Sequence, residues 1–195
     1  MFLRTFAALA AALALASASL AQPAARSDLE SRAPPDLQVW VTSSTDFCVI
    51  LPRAKYSTIG DSEFPGGAKS YCTKRYDSSQ GKVPAKFFTS GPFVSKARGK
   101  SGGRQVQLTG CINASASPRL QPNDGGGQYD SAPGGTDGKG NPAGSVCLGY
   151  NHYVQIVEPD ANRICIRCCD NQSDCPLQFD TSGCKKIIPG RYDGC

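Results

Sequence analysis

The chain has 195 residues, with 21 Lys and Arg against 16 Asp and Glu, for a formal charge of +5. That excess is mild and contains no block of five or six like charges, so nothing in it calls for nucleic acid or an anionic membrane as partner. Ten cysteines beside a single His, Trp and Met favour a chain held by sulfur rather than by a large apolar interior.

The first 21 residues read as a secretory signal peptide. Arg4 gives the positive start, Phe6 to Ala16 is an unbroken apolar run, and the small residues Ser19 and Ala21 suit cleavage after Ala21. The run falls short of the roughly 20 residues needed to cross a bilayer core. No second stretch of spanning length follows, and Pro189 to Cys195 is polar, unlike the hydrophobic tail of a lipid-anchor signal. A secreted, extracellular protein with no membrane span is expected.

Residues 22–36 are polar and contain Pro23, Pro34 and Pro35, which reads as a disordered lead-in or pro-segment. Residues 37–195 form the expected domain. Leu37 to Thr42 alternates apolar and polar residues as a strand does, and Phe47 to Leu51 is a second strand stopped by Pro52. Ala68 to Lys74 is compatible with a short helix. Lys86 to Val94 holds three Phe but is broken by Gly91 and Pro92. The basic cluster Lys96, Arg98, Lys100 and Arg104 reads as a solvated loop. Gln105 to Ile112, Val146 to Val157 and Ile164 to Cys168 read as strands, the last two joined at hairpin length by Asp160 to Arg163. No long 3.6-residue apolar stripe occurs. The expected fold is mainly β: a single disulfide-stapled sandwich- or barrel-like domain. Asn113 to Ser145, rich in Gly and Pro, is its long loop, and a stretch of this length is functional or disordered.

In an oxidising compartment the ten cysteines, Cys48, Cys72, Cys111, Cys147, Cys165, Cys168, Cys169, Cys175, Cys184 and Cys195, pair into five bridges. Ten cysteines allow hundreds of complete pairings, so connectivity stays open. Two local expectations survive. Cys168 and Cys169 point to opposite faces of a strand and reach different partners. A bridge at Cys195 ties down a segment that otherwise frays. A zinc site is disfavoured, because Cys165-Ile166-Arg167-Cys168 has no second Cys-x-x-Cys to complete it and His152 is the only histidine. No metal or other cofactor is expected. Asn113-Ala114-Ser115 and Asn171-Gln172-Ser173 are glycosylation sequons, the first the better exposed.

Signals for catalysis are thin. Gly60-Asp61-Ser62 matches a lipase triplet over three residues only, and a Gly-x-Ser-x-Gly elbow is missing. His152, Glu158 and Arg163 have the side-chain types of a small ribonuclease, and His152 and Glu158 share a strand face by parity. Asp124, Asp130 and Asp137, or Asp170, Asp174 and Asp180, have oxygens suited to calcium, without an EF-hand pattern. Trp40, Tyr129 and Tyr150 are candidates for stacking on sugar rings, whereas Tyr153 reads as core.

The runs Gly127-Gln128-Tyr129-Asp130-Ser131 and Gly144 to Val154, then Glu158-Pro159 and Cys165 to Asp170, resemble a group of small secreted cysteine-rich proteins of filamentous fungi. So do Cys175-Pro176, Cys184, Ile188-Pro189-Gly190 and Cys195. The likeness runs from about Cys48 onward and implies a fungal secretome setting, with no activity, cofactor or catalytic residue attached. The expected function is that of a non-enzymatic secreted protein at a cell surface, cell wall or host interface, effector-like or wall-associated. Its expected partner is a wall glycan or a host extracellular protein, and the oligomeric state is open. A glycan-binding module is the alternative, followed by a small hydrolase or ribonuclease using His152.

Overall fold

The computed structural model describes residues 33–131, 140–179 and 181–195. Ten strands form two five-stranded sheets. The first contains β1 (Gln38–Ser43), β2 (Asp46–Pro52), β3 (Ala68–Cys72), β4 (Gly81–Lys82) and β8 (Val146–Cys147), in the order β4-β3-β2-β1-β8. The second contains β5 (Phe93–Arg98), β6 (Arg104–Cys111), β7 (Gly127–Asp130), β9 (His152–Glu158) and β10 (Arg163–Cys169), in the order β5-β6-β10-β9-β7. The sheets face each other as a sandwich and do not close into a barrel.

One buried cluster joins the sheets. Val39, Val41, Phe47, Val49 and Leu51 come from the first, and Val106, Leu108, Tyr153, Val157, Ile164 and Ile166 from the second. The alternation that identifies these strands thus also sets which residues meet. Gln155 is fully buried in this interior. Its amide donates to Ile50 O (2.6 Å) and its Oε1 accepts from Ile50 N (2.7 Å). Both backbone groups of Ile50 are satisfied by one side chain from the opposite sheet.

The outer face of the second sheet is also covered. Val154, Ile156, Cys165 and Cys169 pack under Cys175, Cys184, Ile187, Ile188 and Tyr192. This C-terminal cap includes a short α-helix, Gly183–Ile187, and is pinned by Cys111–Cys195, Cys165–Cys184 and Cys169–Cys175. The two other bridges are Cys48–Cys72, between paired positions of β2 and β3, and Cys147–Cys168, from one sheet to the other. All ten cysteines are bridged, and Cys168 and Cys169 do reach different partners on opposite faces.

Four sequence expectations are corrected. Ala68 to Lys74 is no helix: Ala68–Cys72 is β3, paired with β2 on one side and β4 on the other. Weak local preference yields there to sheet pairing and the Cys48–Cys72 bridge. Val146 to Val157 is not one strand. It breaks after Cys147, turns through Gly149 at φ +84°, and supplies a strand to each sheet. Asn113 to Ser145 is not all loop: Gly127–Asp130 is β7, whose Tyr129 is fully buried. The end of the lead-in is docked. Gln38 Nε2 donates to Ala33 O, and Ser70 Oγ and Gln80 Nε2 donate to Pro35 O, so residues 33–36 belong to the domain.

Candidate functional site

The basic cluster read as a solvated loop is a hairpin. Lys96 and Arg98 lie on β5, Lys100 in the turn, and Arg104 opens β6. The hairpin rests against the segment Asp170 to Asp174 that leads into the cap. Arg104 makes a two-point ion pair with Asp170, Nε and Nη2 each 2.9 Å from a carboxylate oxygen, and Asp170 raises the guanidinium's pKa. Asn171 Nδ2 donates to Ser101 O, and the hydroxyls of Ser101 and Ser173 are 2.6 Å apart.

Between hairpin and cap lies a cleft of about 360 Å³. Four cations line it: Arg98 and Lys100 from the hairpin, Arg167 from β10 and Lys186 from the cap helix. Asp174, 6% exposed, forms part of its wall. Its Oδ1 accepts from Ser101 N at 3.3 Å, and its Oδ2 has no partner. Gly99 packs close opposite: a Cβ there would stand 2.1 Å from that carboxylate and force it to move. Arg167 gives three donors to Gln107 Oε1 and Asp174 O, leaving two of its five N–H groups. Burial lowers its pKa, while the neighbouring Tyr192 and Asp174 act the other way. An arginine nevertheless keeps its charge. Through Ser173 and Pro176 the cleft adjoins a second hollow of about 490 Å³, lined also by Gln172, Leu177 and Gln178. Phe179, 38% exposed, carries the Lys186 ammonium 5.4 Å above its ring.

The residues singled out for catalysis are not brought together. His152 and Glu158 stand at opposite ends of β9, about 20 Å apart at about 3.3 Å per residue. Val154 and Ile156, under the cap, fill the face between them. Glu158 pairs with Arg163 across the hairpin (3.0 and 3.1 Å) and accepts from Cys184 N (2.9 Å). Burial lowers the pKa of His152, and its Nδ1 is buried without a partner. Ser62 is buried and bonded to Ile59 O and the Tyr129 hydroxyl. Tyr129 lies opposite Gln155 on the inner face, whereas the parity of His152 places it on the outer face of the same sheet.

The aspartates also serve the scaffold. Asp124 accepts from Ile59 N and Gly126 N, and Asp130 from Gln128. Asp137 and Asp180 lie outside the described residues. Among the described residues no group of three His, Cys, Asp or Glu is placed to hold a metal ion.

Tyr129 and Tyr153 are buried, their hydroxyls bonded to Ser62 and Ser145, and burial raises both pKa values. Tyr129 is therefore removed from the sugar-stacking set. Tyr150 is half-buried, with the Arg104 guanidinium 5.2 Å over its ring. Trp40 is half-buried, its Nε1 donating to Asp46, and its ring lies 5.9 Å from that of Tyr76, which is 58% exposed. Of the sequons, Asn113 is exposed, whereas the Asn171 amide is held by Ser101. Tyr76, Arg167 and Lys186 went unread as site residues. The bridges Cys165–Cys184 and Cys169–Cys175 to β10 and Cys111–Cys195 to β6 bring the cap, and with it Lys186, to the hairpin's basic cluster.

Comparison with family models, with curated proteins and with solved structures finds no match.

Proposed function

We propose that this chain is a secreted, non-enzymatic binding protein that acts at a cell surface, a cell wall or a host interface. The cleft between the β5–β6 hairpin and the cap is its contact site. The observation that carries the reading is the convergence of Arg98, Lys100, Arg167 and Lys186 on one concavity, while His152 and Glu158 are held far apart. Cations gathered from three elements in a cleft focus potential there and suit recognition. Five bridges fit an extracellular setting, as does the finding that no helix among the described residues is long and apolar enough to cross a membrane. The fungal setting rests on the sequence resemblance.

A turnover screen on ribonucleic acid and common wall polysaccharides tests this. The expected result is no product above the level of the His152→Ala variant. Turnover abolished by that substitution overturns the reading in favour of the hydrolase or ribonuclease.

One observation favours a second reading, a glycan-binding module. Half-buried Trp40 and exposed Tyr76 place two rings side by side at the surface, and aromatic rings of this kind stack on the apolar faces of sugars. Retention on chitin or glucan, lost in Trp40→Ala, would select it.

A further inference from the structure

We infer that the hairpin–cap groove binds an acidic oligosaccharide, a chain of sugars carrying carboxylates among free hydroxyls. This rests on the reading of the cleft as the contact site and names its ligand class. The lining has two chemistries at once. Arg98, Lys100, Arg167 and Lys186 offer charge to an anion. Gln105 and the Gln178 amide nitrogen offer neutral groups to hydroxyls, and the Ser173 hydroxyl, paired with Ser101, borders them. A ligand made only of anionic groups leaves the amides unused and meets the Asp174 carboxylate in the wall. A neutral sugar leaves four cations unpaired. Sugars with one acid group per unit satisfy both sets.

The shape agrees. Two hollows of about 360 and 490 Å³ share Ser173 and Pro176, so the groove offers adjoining places for successive units rather than one closed pocket. Nucleic acid fits less well. Single strands are held by rows of stacked aromatic rings, and among the described residues no aromatic side chain lines either hollow. Gln107 and Asp174 take three of the five N–H groups of Arg167, so two remain to donate to a carboxylate.

The test uses the secreted protein with its bridges intact and titrates oligogalacturonate by calorimetry. Its fully methyl-esterified form, a cello-oligosaccharide and polyphosphate serve as comparison ligands. Binding of the acid form, about tenfold or more tighter than the ester and weakened by added salt, is expected. The exposed pair Lys100→Ala/Lys186→Ala should lose about tenfold in affinity with unchanged melting, while Lys55→Ala/Lys82→Ala, remote exposed lysines, should lose none. Equal binding of acid and ester, preference for polyphosphate, or full affinity in the Lys100/Lys186 variant overturns the inference. None of these outcomes touches the non-enzymatic reading, which falls only to His152-dependent turnover.

Discussion

Two layers of the molecule are held by different means. Between the sheets, aromatic and branched side chains interlock, and the one bridge that crosses, Cys147–Cys168, is added to a packed interior. Outside the second sheet, residues 175–195 cover a few apolar side chains and are fixed by three bridges and a handful of polar contacts. Where apolar area is plentiful the fold relies on burial. Where it is scarce, covalent links stand in for it. The candidate groove lies on the scarce side, where positions are fixed without bulky packing and polar side chains stay accessible.

The largest expected effect sharpens the contrast from the packed side. Gln155→Ala leaves Ile50 N and O unpaired in the interior and should cost about 2–5 kcal/mol, read as a global shift in denaturant midpoint. Opening the cap by Cys165→Ala/Cys184→Ala should cost about 3 kcal/mol. The gain in hydrogen exchange should be confined to residues 175–195, and spread of fast exchange into β2 and β6 would break the two-layer picture. Glu158→Gln weakens the pair with Arg163 and the acceptor for Cys184 N, and should destabilise by about 1–2 kcal/mol. That loss should shrink when the Cys165–Cys184 bridge is already removed.

The smallest effect concerns pH. Burial holds the His152 pKa below its ordinary value of 6.5, so the neutral ring is favoured when folded. Stability from this source is complete above about pH 6.5 and is lost as pH falls below it. His152→Gln should flatten the stability profile between about pH 7 and pH 5, and an unchanged slope would remove His152 as its source. The sequons give a check without energetics: in a glycosylating host, Asn113→Gln should remove a glycan mass and Asn171→Gln should not.

Period-two patterning made β1, β2, β6, β9 and β10 readable, because each buries alternate or continuous apolar residues over five or more positions. The bridged state of the cysteines followed from their even number and the expected export of the chain, and the split fates of Cys168 and Cys169 from strand geometry alone. β3, β4, β7 and β8 were hidden because they are short and owe their form to neighbours distant in sequence. The groove was half visible. Arg98 and Lys100 lie two positions apart in the chain, but Arg167 and Lys186 join them only through folding and sulfur pairing. Trp40 was singled out without Tyr76, since nothing local announces that the turn after β3 brings that ring alongside.

The first sheet cannot be finished by the part of the chain that begins it. β1 to β4 end at Lys82, yet β1 takes its outer neighbour from Val146–Cys147 and Ile50 its hydrogen bonds from Gln155, 105 positions later. During synthesis the early half must wait, with its oily side uncovered, for most of the remaining polypeptide to arrive. Apolar surface left uncovered in this way favours clumping, so a chain truncated before residue 146 should aggregate where the full chain folds.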